Sequence, residues 1–584
     1  MGIEFINQLP PSLIMILGSL LIPPAKKYLR LILAIIIPVL TLQQVWVIAV
    51  GSTNEILQIN LGGFALLPLH TNPYTLIFAT AFCIAAAIAA FYGVMQARAS
   101  EMVAGFIYAG SAIGLCYAGD FITIFIYWEI MAIASCVIIF SSNAKFAGNA
   151  GVRYAIMHFL SGVLLLAGII AQIFLSGSSE LVNLNSDMEI LFPGYALDMN
   201  GLISWLILLG LLIGAAVPPF SAWLPDSYPK ASPSGSVFLS IFTTKVAVFL
   251  LLTLFAGAKI LIFIGLFMAF YGIVYAILEN NIRRLLSYSI INQVGFMLVG
   301  IGIGSELALN GVALHAFCHI MYKALLFMAA GSVVYMTGKN RLSDMGGLYH
   351  SMHLTTICTV IGALAMSSFP FTLGFISKAI LSAAVVEEGL PGVWYLFIAA
   401  SAGMFLLGIK FIWFVFFAKD SSLKPKDPPF NMAIAMAIMS VLCIIPAIPG
   451  LTETTLYSML SFPVEYTPYK ADYIVTNLQL FMFTALSFFL LLPLIKKSNA
   501  RSLDFDWFYR GLARYVVLAL FRISIVPTQF GRILLKKGLR KTQNIIHKTH
   551  GPGSIMARGW EIGTTATWTI VLLGIYLVVY YKSK

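Results

Sequence analysis

Apolar residues run in blocks of about twenty along most of the chain, and charged residues fall mainly in the gaps. A helix needs about 20 mostly apolar residues to cross a bilayer core. The pattern therefore predicts about fourteen core spans, near 8–23, 29–51, 74–95, 102–119, 121–141, 152–176, 200–226, 235–256, 258–279, 287–304, 309–337, 354–384, 393–417 and 430–450. Further apolar runs cover 472–495 and 563–581. The ten-residue alternation of a membrane β-barrel is absent. The expected fold class is all-α, a polytopic membrane protein.

Prolines interrupt two of these spans: Pro218 and Pro219 in the seventh, Pro370 in the twelfth. Proline removes a donor and collides with an earlier carbonyl. Inside a membrane the freed backbone is tolerated only when buried in protein or lining a wet cavity. The breaks lie five spans apart, and an odd number inverts the second copy relative to the first. This predicts two inverted five-helix repeats, 102–256 and 257–417, after N-terminal helices in 1–101 and before C-terminal helices in 418–495. Paired broken helices point to an ion site; two packing kinks are the plainer alternative. A basic cytoplasmic or interfacial segment, 496–562, precedes a final span in 563–584. Within it, 511–527 is apolar but carries Arg514 and Arg522, which suits a helix lying in the interface, with a tilted span as the alternative. Gly538 and Pro552 argue against one long helix there.

Composition agrees with this picture. Of 584 residues 60% are hydrophobic and only 10% charged, against about 25% charged in soluble domains. The net charge of +12 is distributed by topology. Lys26, Lys27 and Arg30 follow the first span, Lys145 and Arg153 the fifth, Arg283 and Arg284 the ninth, and Lys419, Lys424 and Lys426 the thirteenth. The alternate loops are acidic or neutral, with Glu180, Asp187, Glu189 and Asp198 in one and Glu387 and Glu388 in another. The positive-inside rule then places the N-terminus outside and the basic loops in the cytoplasm; the expected location is a prokaryotic cell (inner) membrane. The basic residues suit anionic lipid rather than nucleic acid. The start of the chain has Glu4 and no early Lys or Arg, so no basic leader is expected, and Ile6 breaks the myristoylation pattern. The six cysteines lie in apolar runs without a C-x-x-C pair, which reads as small buried hydrophobes. No cofactor motif and no P-loop is present.

The exceptions to apolarity carry the chemistry. Glu129, Lys245, Lys323 and Lys378 stand deep within apolar stretches, where a charge costs several kcal/mol, roughly 2.5–3.5 on insertion scales. Such residues mark ion or proton paths by default. His315, His319 and Lys323 recur at every fourth position and line one face of the eleventh span. A histidine changes charge near neutral pH, so this ladder suits proton transfer. A zinc reading is weaker, because no third ligand joins that face. His158 and Lys410 are lone polar residues, divided evenly between relay and structural hydrogen bonding.

Taken together, DFITIFIYWEI, WLPDSYPKASPSGSVFLS, NIRRLLSYSIINQVGFM, LHAFCHIMYKALLFMAAG and FPFTLGFISK resemble the antiporter-like membrane subunits of multisubunit Na+/H+ antiporters, respiratory complex I and membrane-bound hydrogenases. The resemblance covers roughly residues 70 to 420, and the tail with LDFDWFYR is most similar to D-type members of the antiporter branch. It implies proton-transfer roles for Glu129, Lys245, His315, His319, Lys323 and Lys378, and it matches Asp226 to a loop position past the seventh span. It also implies a seventh-span lysine where Gly214 stands, so Glu129 lacks that partner; either Lys245 or another subunit's group replaces it, or this half no longer works like the family's pumps. Asn281 stands where an aspartate is often found. The function so implied is an ion-translocating subunit of a monovalent cation (Na+)/H+ antiporter, without cofactor or metal, among other membrane subunits. The alternatives are a proton-pumping subunit of a redox complex and a scaffold that has lost transport.

Overall fold

The computed structural model describes residues 9–51, 57–185, 199–418, 421–493, 504–551, 554 and 562–582. Asp187, Glu189 and Asp198 of the acidic loop, Lys419 and Pro552 lie outside them. The chain forms two units, Met1–Phe505 and Asp506–Lys584.

The first unit opens with α1 (Pro11–Ser19) and α2 (Lys27–Val50), followed by a hairpin of β1 (Leu57–Leu61) and β2 (Phe64–Leu69). The hydrophobic pattern did not announce this hairpin. Of the predicted first span, α1 holds nine residues. Then come α3 (Thr75–Gly93), α4 (Ala99–Cys116), α5 (Phe121–Phe140), α6 (Ala147–Ser176), α7 (Met199–Gly214), the short α8 (Trp223–Ser227), α9 (Pro233–Ile241) and α10 (Thr243–Leu254). The next group is α11 (Ile260–Leu278), α12 (Ile282–Ile303), α13 (Glu306–Thr337), α14 (His353–Met366), α15 (Leu373–Glu387) and α16 (Pro391–Ile412). The unit closes with α17 (Phe430–Leu442), α18 (Leu451–Thr455) and α19 (Ala471–Leu490). Among the described residues 13 helices are long and apolar enough to cross a membrane, so this is an all-α polytopic membrane protein. α9–α10, α12 and α13 are enclosed by neighbours on almost all sides. α6 instead turns Ile156, Phe159 and Val163 outward.

One local pattern occurs twice. Asp120 caps α5 by accepting from the Thr123 amide at 2.8 Å, and Asn281 caps α12 by accepting from the Arg283 and Arg284 amides at 3.1 Å. Each cap residue also forms an isolated antiparallel bridge, to Glu180 and Arg341 respectively. α6 and α13 both end on a left-handed glycine, Gly177 and Gly338. α7 and α14 both end on a left-handed residue that is not glycine: Ala216 at φ 61° and Ser368 at φ 67°. The closing hydrogen bonds match: Ala216 N to Ile213 O and Val217 N to Leu212 O, Ser368 N to Ala365 O and Phe369 N to Leu364 O. This is the Schellman arrangement, in which two amides past the helix satisfy its last carbonyls. Pro218 and Pro370 follow two residues later and hold the preceding residue extended. The two halves thus use the same stop signals at the same places.

The second unit corrects an expectation. The tail forms one helix, α20 (Ala513–His550), 38 residues long, followed by α21 (Ile562–Lys582). At 1.5 Å per residue α20 runs for about 57 Å. It passes through Gly538, because one glycine in an exposed helix costs only about 1 kcal/mol. Its basic residues Lys536, Lys537, Arg540, Lys541 and Lys548 are exposed.

A left-handed L-residue costs roughly 1–2 kcal/mol, and a β-branched side chain adds to it. Ala216→Val and Ser368→Val are expected to lower the melting temperature of the solubilised protein, while Ala216→Gly leaves it near the parent value.

Candidate functional site

The eighth predicted span is broken at Phe242, between α9 and α10. The break frees the Ser240 carbonyl, and the fully buried Lys245 donates to it at 2.5 Å. The second half repeats the device. Lys378, in the first turns of α15, reaches back to Met366 O, the last residue of α14, at 3.4 Å. Its ammonium also stands 5.0 Å over the Phe296 ring. Each lysine therefore meets a carbonyl that an interrupted helix has left open.

α13 carries the ladder between them. His315, His319 and Lys323 are all fully buried. The two ring nitrogens of His315 pair with Ser377 Oγ at 2.9 Å and Gln293 Oε1 at 3.0 Å. Tyr322 donates to the same Gln293 oxygen at 2.8 Å. His319 lies parallel to His315, with 6.2 Å between ring centres, and neither of its ring nitrogens has a protein partner. Lys323 donates to Ser289 and lies 3.2 Å from the Met366 sulfur. His319 is within electrostatic reach of Lys245, Lys323 and Lys378, and Lys323 is within reach of Lys245 and Lys378. Like charges at that range in a poorly screened interior repel, so charge on one is felt by the next. Among the described residues no carboxylate forms an ion pair with these lysines.

The remaining predicted residues are placed differently. Glu129 is half-buried on α5, beside the exposed Ile126 and Ile133, and its carboxylate rests against Gly162 of α6. No ion pair joins it to Lys245 among the described residues, so that expected replacement is not made; the ammonium is committed to Ser240 O. Gly214 has a packing cause: a Cβ there would stand 2.6 Å from the Trp128 indole. Asp226 on α8 pairs with Arg153 at 3.4 Å and Arg284 at 3.8 Å, and Arg284 also reaches Glu279 at 3.4 Å. Lys410 donates to Ala276 O, Ile277 O and Glu279 O, which caps the end of α11. His158 is buried between Tyr154 and Trp223, with Nε2 unpartnered. Among the described residues no three His, Cys, Asp or Glu converge as metal ligands would.

Sequence reasoning missed Gln293, Ser289 and Ser377, although the adjacent amides Asn292 and Gln293 interrupt an apolar span visibly. It also missed Asp504, which is buried and accepts from Tyr271 and Tyr288, with Ser221 donating to Tyr271 at 3.3 Å.

Residues 118–406 match the family model described as NADH:quinone oxidoreductase/Mrp antiporter, TM. The D-type Na(+)/H(+) antiporter subunit of Alkalihalophilus pseudofirmus is 26% identical over 378 residues, which is 62% of this chain and 73% of the relative. The matched stretch spans from 35% to 73% of the curated relatives' own lengths. Two solved structures share the fold. A chain of the archaeal membrane-bound sulfane sulfur reductase has a TM-score of 0.71 at 23% identity, covering 98% of this chain and 100% of that one. A chain of the Mrp complex from Dietzia sp. DQ12-45-1b has a TM-score of 0.69 at 18% identity, covering 82% and 100%.

Two substitutions separate packing from transport. Lys410→Met leaves carbonyls at the end of α11 without their donor, at about 1–3 kcal/mol for an unsatisfied buried group; a lower melting temperature with proton translocation retained is expected. Gly214→Lys overpacks against Trp128, at about 1–3 kcal/mol. Thermal melts should show that loss, and Trp128→Ala in the same chain should relieve most of it.

Proposed function

We propose that this chain, a membrane subunit of the antiporter/complex I-like family, translocates protons along Lys245, His319, Lys323 and Lys378, with His315 and Glu129 as further transfer groups. The observation that carries this reading is the run of buried amines and imidazoles whose protein partners, where they have any, are only carbonyls, hydroxyls, a thioether and an amide. A carboxylate partner would hold each ammonium by a strong charge-assisted bond. Neutral partners hold it more weakly and leave the proton free to move. A protein retains charge in a membrane interior at considerable cost, and transport is the usual reason.

The leading role is the ion-translocating subunit of a multisubunit monovalent cation/H+ antiporter, with Na+ taken from the named role of the Alkalihalophilus relative. Other membrane subunits complete the complex. The basic loops face the cytoplasm, and the exposed basic face of α20 meets anionic lipid. One observation favours a second reading, a proton-pumping subunit of a redox complex: the likeness to the sulfane sulfur reductase chain extends over 98% of this chain, tail included. The scaffold reading is opposed by the buried lysines.

In the assembled complex in vesicles, Lys378→Ala and Glu129→Ala are each expected to slow proton translocation about tenfold or more, the scale of a lost proton-transfer group. Parent rates in both would end the relay reading. Copurification with iron–sulfur proteins would assign the chain to a redox complex instead of an antiporter.

A further inference from the structure

α5–α6 and α12–α13 keep one register. The caps Asp120 and Asn281, the left-handed ends Gly177 and Gly338, and the bridge partners Glu180 and Arg341 are each 161 positions apart (281 against 120, 338 against 177). The same interval carries His158 onto His319 and Gly162 onto Lys323. Both histidines are buried with ring nitrogen left unpartnered. Each precedes the second position by four residues, so in both halves the two positions are neighbours on one helix face.

The second position differs. At 323 it holds an ammonium; at 162 the side chain is missing. The space is not empty, because the Glu129 carboxylate enters it from α5, and a Cβ on Gly162 would collide with Glu129 Oε1. Among the described residues no hydrogen bond or ion pair ties this carboxylate to another group. The His158 ring is held in place by Tyr154 at 4.1 Å and Trp223 at 4.8 Å between centres. Tyr154 donates to Ser135 at 3.0 Å and lies 3.4 Å from Thr243 Oγ1. Thr243 opens α10 two residues ahead of Lys245.

We infer that Glu129 and His158 form a proton-exchange pair in the first half, the acidic counterpart of the His319–Lys323 pair in the second. In the transfer the O–H bond of the protonated Glu129 breaks and an N–H bond forms at His158 Nε2, directly or through one water. A carboxylate and an imidazolium remain, and the return step reverses this. The pair adjoins the interruption that holds Lys245, so it extends the buried row toward the outer face of α5 and α6. This inference rests on the relay proposed above.

The test uses the complex containing the full chain, reconstituted in vesicles. Gly162→Ala removes no titratable group but displaces the carboxylate; His158→Gln keeps a polar side chain without a basic nitrogen. Each is expected to slow proton translocation about tenfold or more. Glu129→Asp, one methylene shorter, should restore part of the rate in the Gly162→Ala background. Parent rates in Gly162→Ala and His158→Gln, with Lys378→Ala and Glu129→Ala slowed, would overturn the pair and leave the relay standing. Parent rates in all four would remove both. A second measurement covers any variant that fails to assemble: labelling of Glu129 by dicyclohexylcarbodiimide in membranes, located by mass spectrometry. Gly162→Ala should raise it severalfold by pushing the carboxyl outward, and unchanged labelling would overturn the pair.

Discussion

An ammonium group stays inside a membrane only if something polar meets it. Here Lys323 meets a hydroxyl and a thioether, and the other buried lysines meet backbone carbonyls set free where helices stop short. Lys245 rests on Ser240 O at the break between α9 and α10, and Lys378 reaches Met366 O at the end of α14. Lys410 uses the same chemistry at the end of α11. An unbroken helix has no spare carbonyl mid-span, since each is bonded four residues on. The interruptions and the buried lysines therefore depend on each other: the break needs a donor, and the amine needs an acceptor.

That dependence also shapes the protonic character of the interior. A carbonyl is a dipole, not a counter-charge. It solvates an ammonium without cancelling it, so the charge remains visible to neighbouring groups in a medium that screens poorly. His319, with no protein partner on either ring nitrogen, sits within that field. By contrast Asp226, Glu279, Arg153 and Arg284 neutralise one another, and their role is to tie α6, α8 and α12 together.

The halves share stop signals but not contents. Where the second half keeps Lys323, the first has Gly162 and receives Glu129 from another helix. Gly214 belongs to the same rearrangement, because the residue before Glu129 is Trp128, whose indole occupies the space beside it. A large aromatic and a carboxylate on consecutive positions of α5 thus occupy the space that side chains at Gly214 of α7 and Gly162 of α6 would need.

Hydrophobic run length alone determined that this chain crosses a membrane many times, because the requirement of about 20 apolar residues is a property of the bilayer. Proline position likewise marked the interruptions near Pro218 and Pro370, since proline's lost donor is local chemistry. The i, i+4, i+8 spacing put His315, His319 and Lys323 on one face without any knowledge of what faced them. The break at Phe242 escaped notice because no proline or glycine signals it; tertiary contacts that include the Tyr108–Thr243 bond accompany it. The unbroken α20 escaped for the opposite reason, as Gly538 weakens a helix without ending it. Only the tertiary structure decided that Glu129 stands against Gly162 instead of Lys245, that Lys410 caps a helix, and that Asp504 meets two tyrosines more than 200 positions earlier. Partners of buried polar groups come from helices distant in sequence, and one chain's pattern carries no record of which faces will meet.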